Sequence, residues 1–295
     1  MNYLKHIYIT LILTALASCG SETDEPAPVG PQTPISFGNS VMAIETEDGA
    51  GSRAAVMEEE DMVSFCVYGQ LFDNGTFKGY MIPGERVTPA KKDDSWITEN
   101  LYYWPDQSKG MSFFAYSPEN VEGLKLLNPE QDPYNPRFEY EPPKDPKRQV
   151  DLLFANTNPY APINYGHEPG RKVALEFRHR LIQINFHVNG DASKLATITL
   201  NNVTKKGIFN FQGTQWWELP HNEADSRTSY TINVPADGNF GDDHRLMIIP
   251  QRTPHDCTLE ITFRDGTPAK SIAFGNKELD PKHLGGMSYR IVITV

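Results

Sequence analysis

Apolar and polar residues alternate with a period of two along many short runs of this chain, and this pattern limits the fold more than any other feature. Successive side chains in a β-strand point to opposite faces of a sheet, so such a run buries one face and leaves the other in water. The pattern therefore predicts an all-β protein. The clearest runs carry apolar residues at Val173, Leu175 and Phe177, at Ile182, Ile184, Phe186 and Val188, at Ile198 and Leu200, at Leu259, Ile261 and Phe263, and at Ile291, Ile293 and Val295.

Turn-forming residues separate these runs. The chain is rich in them, with 23 prolines and 22 glycines. Short strands bounded by such turns are typical of antiparallel β-sandwiches. The length of 295 residues suits one large domain or two of ordinary size. With a boundary at the turn formed by residues 189–191, we predict two antiparallel β-sandwich domains in tandem, at 35–188 and 189–295.

One proline-rich stretch, residues 117–148, shows little alternation. Long irregular stretches in compact proteins are commonly functional loops on the surface. We therefore expect residues 117–148 to be a surface excursion from the first domain. Within it, residues 118–127 are the one helix that we expect in the chain.

The first 18 residues have the three parts of a secretory signal. Residues 5–6 are positive, residues 7–16 are apolar, and small residues precede Cys19. The run Leu-Ala-Ser-Cys that ends at Cys19 resembles the lipobox of bacterial lipoproteins, which implies removal of residues 1–18 and lipidation of the Cys19 thiol. The alternative is an ordinary secretory signal with a chance cysteine.

Residues 19–34 are polar, acidic and rich in proline. Such a segment cannot bury enough apolar area to fold, so it is predicted to be a flexible tether. A serine followed by acidic residues soon after Cys19 resembles the surface-export signal of lipoproteins in Gram-negative anaerobes. That resemblance implies a lipid-anchored protein on the outer face of the outer membrane, with a plain periplasmic tether as the alternative.

The formal net charge of −11 argues against nucleic acid as a partner, because phosphate binding needs clustered Lys and Arg. Cys66 lies in an apolar run and is expected to be a buried, unreactive thiol. A disulfide between Cys66 and Cys257 could form in an oxidising compartment, although the two cysteines fall in different predicted domains.

The chain has none of the short motifs that mark phosphate-binding loops, serine hydrolases or zinc proteases. We therefore predict no catalytic residues, no cofactor and a protein that is not an enzyme. The nearest approach to a metal cluster is Asp242-Asp243-His244 in a Gly-rich loop. This arrangement is more typical of a solvated turn than of a calcium site, so we predict no metal.

Trp216 and Trp217 are adjacent, and together they could form a sugar-stacking platform. Because neighbours in a strand point to opposite faces, at most one ring faces the core while the other faces outward. A purely structural pair and a ligand platform are the two alternatives, and the second would make this a surface glycan-binding lipoprotein. The denser aromatic region at residues 102–116 is interpreted as packing. Its predicted core residues are Trp104, Phe113 and Ala115.

Several short segments, taken together and in this order, carry a family resemblance. They are Tyr102-Tyr103-Trp104-Pro105, residues 111–116, Asp151-Leu152-Leu153-Phe154-Ala155, residues 175–181, Ile249-Pro250-Gln251 and residues 286–291. They resemble the fimbrillin family (Mfa-like group) of type V pili. The resemblance implies two transthyretin-like β-sandwich domains, a lipoprotein precursor, and a structural subunit of a cell-surface pilus that supports adhesion to a host or bacterial surface ligand.

The resemblance also implies assembly by strand exchange, in which an arginine-specific protease removes the first strand and a neighbouring subunit supplies another. Arg53, followed by Ala54, lies in a Gly-rich stretch open to such a cut, although it could equally be an ordinary loop residue. The strand removed would lie within residues 35–44. Strand addition is head-to-tail and does not close, so the partners would be other pilin subunits. The donor would be the C-terminal run that carries Tyr289, Ile291, Ile293 and Val295.

Overall fold

β-strands make up almost all of the regular structure. The computed structural model describes residues 32–42, 45–46, 61–91, 94–127, 129–211, 216–220, 224–280 and 284–295. As far as His179 the strands are β1 (Phe37–Val41), β2 (Glu45–Thr46), β3 (Phe65–Asp73), β4 (Thr76–Pro89), β5 (Trp96–Thr98), β6 (Lys109–Ser117), β7 (Leu124–Leu127), β8 (Arg137–Tyr140), β9 (Leu153–Asn156) and β10 (Val173–His179).

The second part of the chain is built in the same way. Its strands are β11 (Ile182–Asn189), β12 (Leu195–Thr204), β13 (Gly207–Asn210), β14 (Trp217–Glu218), β15 (Arg227–Asn233), β16 (Leu246–Ile248), β17 (Gln251–Arg252), β18 (Thr258–Phe263), β19 (Lys270–Ala273), β20 (Glu278–Leu279) and β21 (Met287–Thr294). Short 3-10 turns lie at Pro146–Arg148, Ala192–Lys194, Ala224–Ser226 and Asp242–His244. The all-β prediction is confirmed.

No helix within the described ranges is both long enough and apolar enough to span a membrane.

The first part of the chain forms a sheet that closes on itself as a barrel, in the order β1-β10-β9-β6-β3-β4-β5. β10 shows the predicted alternation, with Val173, Leu175, Phe177 and His179 buried and the residues between them exposed. The predicted core residues Trp104, Phe113 and Ala115 are all buried, as expected. The barrel core consists of Ile35, Phe37, Met62, Phe65, Val67, Ile82, Val87, Trp96, Trp104, Met111, Phe113, Ala115, Leu153, Ala155, Val173, Leu175 and Phe177.

A second core lies between two four-stranded sheets, with the orders β16-β11-β21-β2 and β15-β12-β18-β19. These sheets form the sandwich that the later alternating runs predict. β11 precedes the predicted boundary at residue 189, yet its apolar side chains pack in this second core. A two-stranded pair, β17 with β20, completes this part of the chain.

A third core lies under a sheet with the order β14-β13-β8-β7. Two of its strands, β7 and β8, come from the stretch 117–148, so the prediction of a surface excursion there is wrong. Phe138 and Tyr140 on β8 are fully buried. The helix expected at 118–127 is also wrong, because residues 124–127 form β7. Gly123 explains the difference: it has φ +81°, and a Cβ there would lie 2.2 Å from the Glu141 carbonyl oxygen.

Residues from Thr33 to Val295 form one compact unit. The third core draws residues from both sides of the predicted boundary, since β8 pairs with β13 in register from Gly207–Tyr140 to Asn210–Arg137. The division into domains at 35–188 and 189–295 stays a prediction.

Most strand pairs are antiparallel, as predicted, but three are parallel: β1 with β10, β11 with β21, and β2 with β21. Parallel neighbours need a long crossover connection, and each of these pairs is joined through much of the intervening chain. Alternation in the sequence shows which face of a strand is buried but not the direction of its partner. The parallel pairs are therefore a structural finding.

Cys66 and Cys257 are both buried and free. Burial raises the pKa of the Cys66 thiol to about 11 and that of the Cys257 thiol to about 12. The expectation of a buried Cys66 is therefore confirmed, and the disulfide left open from the sequence is not formed in this structure.

The third core can be tested with Phe138→Ala, because the Phe138 ring contacts Phe114, Phe154 and Phe211. Truncating a fully buried phenylalanine should lower the free energy of unfolding by about 3–5 kcal/mol in a urea titration. Leu101→Ala, at an exposed site, should change it by less than about 0.5 kcal/mol. A near-neutral Phe138→Ala would mean that residues 137–140 do lie on the surface.

Candidate functional site: the slot of the first strand

β1 lies in a slot in the barrel wall, which we call the first-strand slot. One side of the slot is β10, which runs parallel to β1 in register from Phe37–Val173 to Val41–Phe177. The Val173 N–H donates to the Ser36 carbonyl at 2.8 Å, and the Met42 N–H donates to the Phe177 carbonyl at 2.9 Å. β1 is thus held by backbone bonds at both ends of this ladder.

The other side of the slot is formed by β5 and by residues 102–104. Phe37 pairs with Trp96 on β5, the single register pair that closes the barrel. The Ile35 N–H donates to the Tyr102 carbonyl at 2.8 Å, and the Trp104 N–H donates to the Thr33 carbonyl at 3.0 Å. The Tyr-Tyr-Trp segment that contributes to the family resemblance therefore lines the slot.

Phe37 anchors β1 in the barrel core and has no exposed surface. Its ring makes edge-to-face contacts with Phe113 at 5.5 Å and Phe65 at 6.1 Å between ring centroids. Such aromatic pairs stabilise a core beyond the burial of their area. Ile35 is also buried, whereas Ser40 is exposed. β1 therefore inserts its apolar side chains as a plug into a core built by other strands.

The other segments that carry the resemblance meet where β10 continues into β11. His179 at the end of β10 bonds through Nδ1 to the Asp151 carboxylate at 2.9 Å, and both side chains are buried. In another of these segments the Gln251 side chain, fully buried, accepts a hydrogen bond from the Thr204 N–H at 2.8 Å. Buried polar groups need such partners, which gives these residue types a structural reason.

Arg180 is the centre of this junction. Its carbonyl accepts a 2.6 Å hydrogen bond from the Trp217 ring N–H, and its guanidinium lies 4.8 Å from the Phe209 ring centroid. Burial lowers the pKa of Arg180 to about 9, with a smaller contribution from the nearby positive charge of Arg178. The guanidinium also donates to the Leu284 carbonyl at 3.3 Å, next to the start of β21.

Three of the predicted donor residues, Tyr289, Ile291 and Ile293, belong to β21, which is a full member of the second part's sheet, and Val295 directly follows it. β21 pairs with β11 in parallel register from Ile182–Met287 to Asn189–Thr294. Ile293 is buried in the second core, Tyr289 and Ile291 pack against it, and Val295 is exposed. The structure thus places all four residues in the chain's own fold and away from the first-strand slot.

The two adjacent tryptophans face opposite sides, as the strand geometry requires. Trp217 is 1% exposed and bonded to Arg180, so its ring cannot stack on a ligand. Trp216 is 43% exposed and is the one ring of the pair that could do so. A platform made of both rings is therefore excluded.

The acidic turn at Asp242–His244 forms a short 3-10 turn. Asp243 lies 3.8 Å from the Lys147 ammonium, and Asp242 lies 3.4 Å from the Arg245 guanidinium. Across the described ranges, no three His, Cys, Asp or Glu side chains are grouped so that they could hold a metal ion.

Three predicted site residues, Cys19, Arg53 and Ala54, lie outside the described residues. Lipidation and processing therefore remain predictions.

Two features of the site were not predicted from the sequence. One is the role of Phe37 as the buried anchor: residues 35–44 were predicted to contain the removed strand, but the local signal at Phe37 was a lone aromatic residue in a weakly alternating segment near the tether. The other is the Gly285-Gly286 pair, with φ of +84° and +80°, which brings the backbone close to Arg180. A glycine pair directly before a strand could have indicated a close backbone approach.

Comparison with solved structures shows that proteins of Bacteroides species share this fold. The chain is similar to a putative cell adhesion protein from Bacteroides uniformis, with a TM-score of 0.56 and 15% identity over 89% of this chain and 92% of that chain. It is also similar to a putative cell adhesion protein from Bacteroides ovatus, with a TM-score of 0.55 and 16% identity over 89% of this chain and 92% of that chain. A third similar structure is a fimbrial protein from Bacteroides vulgatus, with a TM-score of 0.53 and 19% identity over 88% of this chain and 95% of that chain. At these identities the likeness shows a shared fold.

Family membership comes from the sequence comparison. A family model described as fimbrillin-like matches residues 52–294. The chain therefore belongs to the fimbrillin-like family, and the resemblance inferred from its short segments is confirmed. Among curated proteins, none matches the chain.

The junction can be tested with Trp217→Phe, which removes the indole N–H and leaves the buried Arg180 carbonyl without that donor. The free energy of unfolding should fall by about 1–3 kcal/mol in chemical denaturation, the usual cost of an unsatisfied buried group. Trp216→Phe, one residue away and half-exposed, is the matched control and should stay within about 0.5 kcal/mol of the wild type. Equal effects of the two substitutions would contradict the assignment of Trp217 to the junction.

Proposed function

We propose that this chain is a structural subunit of a cell-surface pilus, assembled from a lipoprotein precursor by proteolysis and strand exchange. The observation that carries the proposal is the first-strand slot, where a short strand plugs a core built by other strands. Membership of the fimbrillin-like family supports it. The role is structural, and its partners are other pilin subunits.

Removal of β1 would open the slot in two ways. The Val173 N–H and the Phe177 carbonyl on β10 would lose their backbone partners. The rings of Phe65 and Phe113 would lose the Phe37 ring that covers them. An unpaired strand edge above an apolar trough binds an extended strand from another chain, with backbone bonds giving affinity and side-chain pockets giving specificity.

We propose cleavage between Arg53 and Ala54. In the chain this point follows β1 and β2 and precedes β3. One cut would therefore separate the plug strand from the rest of the barrel, and would also separate the subunit from a lipid on Cys19. The lipid would hold the precursor at the outer membrane until the cut, and it would become a permanent anchor in a chain that is never cut.

We propose the C-terminal run of Tyr289, Ile291, Ile293 and Val295 as the donor. It has the period-two alternation that a strand in the slot needs. Donation would exchange the register pairs of β21 with β11 for pairs with β10 of a neighbouring subunit. Since each subunit would give one strand and accept another, the contact does not close and the product is a filament.

The processing point can be tested on the purified, unlipidated chain with an arginine-specific protease. Cleavage after Arg53, read by mass spectrometry, should convert the monomer into larger species in light scattering. Arg53→Lys keeps the charge and should leave the chain intact at residue 53 and monomeric. Arg252→Lys changes an exposed arginine on β17 and should behave like the wild type. A chain that is cut at Arg53 and stays monomeric would contradict strand exchange.

The slot can be tested with a peptide of residues 33–42 added during cleavage. The peptide should occupy the emptied slot and block the growth of larger species. Phe37→Ala in the peptide removes the buried ring, at a cost of about 3–5 kcal/mol, and should weaken the block by roughly 100-fold or more. Ser40→Ala changes an exposed position and should leave the block unchanged. Equal potency of the two variant peptides would show that Phe37 does not fix the strand in the slot.

A further inference from the structure

Two parallel strand pairs are connected in series in this protein. β1 runs parallel to β10, β10 continues through Arg180 and Leu181 into β11, and β11 runs parallel to β21. We infer that these strands and the Arg180–Leu181 link form the tension-bearing path of the subunit, from the first-strand slot to the C-terminal strand. The inference rests on the proposed pilus function for the source of the tension, whereas the path follows from the pairing.

The first ladder is loaded in shear. Tension that arrives from the N-terminal side pulls β1 at its N-terminal end, and the rest of the path pulls β10 at its C-terminal end. Because the two strands are parallel, these points lie at opposite ends of the ladder. All its hydrogen bonds then resist together, from Val173–Ser36 to Met42–Phe177. An antiparallel strand pulled at its N-terminal end would instead peel away one bond at a time.

The second ladder has the same geometry. β11 is pulled at its N-terminal end, through Leu181, and β21 is pulled at its C-terminal end. These points are again at opposite ends of a parallel pair, which extends from Ile182–Met287 to Asn189–Thr294. The Val295 N–H donates to the Asn189 carbonyl at 3.0 Å and closes the ladder.

The link between the ladders is also bonded directly to the segment that begins β21. The Gly286 N–H donates to the Leu181 carbonyl at 3.0 Å, and the Arg180 guanidinium donates to the Leu284 carbonyl at 3.3 Å. Gly285 packs so closely that an added Cβ would lie 2.3 Å from the Arg180 carbonyl carbon. Tension can therefore pass from β10 to residues 284–286 without crossing either adjoining core.

This direct contact also matters when β21 is exchanged into a neighbour. Residues 284–286 are bonded to Arg180 and Leu181, so leaving β11 does not remove that attachment. A donor strand is joined to its own subunit through its N-terminal end. It would load the slot in shear when it lies parallel to β10, as β1 does.

Single-molecule pulling of the full, uncut, unlipidated chain tests the path by changing only the direction of force. One handle is attached at Cys19 and the other at Val295→Cys or at Pro169→Cys, an exposed site just before β10. Cys66 and Cys257 are buried and stay unlabelled. The Val295 geometry shears both ladders, whereas the Pro169 geometry peels β1 from β10. The first unfolding force should be several times higher in the Val295 geometry, and equal forces would overturn the inference.

A pair of glycine substitutions tests the link. Gly285→Ala and Gly266→Ala both place alanine at positive φ, +84° and +81°, but only the first meets another residue, since nothing lies within 4 Å of a Cβ on Gly266. Gly285→Ala should lower the force in the Val295 geometry and leave the Pro169 geometry unchanged. Gly266→Ala should change neither. Equal losses for both variants in the Val295 geometry would overturn the role of the link.

Arg180→Met is the milder variant if Gly285→Ala does not fold. It keeps the apolar stem, removes the guanidinium bond to Leu284, and should lower the force in the Val295 geometry alone. An unchanged force in that geometry would count against the link. The pulling experiments need neither cleavage nor a polymer. Equal pulling forces would therefore not contradict strand exchange. A cleaved chain that does not polymerise would not contradict the tension path.

Discussion

The rest of the structure depends on the insertion of Phe37 between Phe65 and Phe113. This contact closes the barrel core, and the single Phe37–Trp96 register pair beside it closes the barrel's hydrogen bonding. The strand that supplies the ring is short, and its main partner, β10, comes much later in the chain. Since no tight turn joins β1 to either neighbour, it is held by backbone bonds and burial. A strand held in that way can be replaced by another strand of the same pattern.

The junction at Arg180 answers a different requirement. A chain with several cores needs a rigid connection between its two parts, and here three kinds of contact provide it. The Asp151–His179 pair fixes the end of β10, the Trp217 ring bonds the Arg180 carbonyl, and the backbone at Gly286 bonds Leu181. The family segments other than Tyr102-Tyr103-Trp104-Pro105, which lines the slot, are scattered in the sequence because this junction collects pieces from several strands. Their meaning is structural: they hold the direction of β10, and β10 forms one wall of the slot.

Much of the fold could be predicted from the sequence, because alternation at Val173–Phe177 or Ile182–Val188 reports burial of one face directly. The structure of the stretch 117–148 could not be predicted in this way. Its alternation at Phe138 and Tyr140 is short and lies among prolines, and Gly123 turns the chain where a helix was expected. The candidate site was predicted in part. The segment containing β1 was identified. Its parallel pairing and its buried aromatic ring depend on residues distant in the sequence, which a local pattern cannot indicate.

The apolar area that β1 buries explains why its removal should lead to replacement by another strand and not to a slot that stays empty. Burying an apolar side chain stabilises a fold by about 1.5–3 kcal/mol, and Phe37 of β1 and Ile35, two residues before β1, are completely or nearly completely buried. The total, roughly 3–6 kcal/mol, is a large part of the 5–15 kcal/mol that typically holds a domain together. The second and third cores contain no residue of β1. A barrel without β1 would thus be the weak part of an otherwise intact molecule, and any strand that restores the plug regains that free energy.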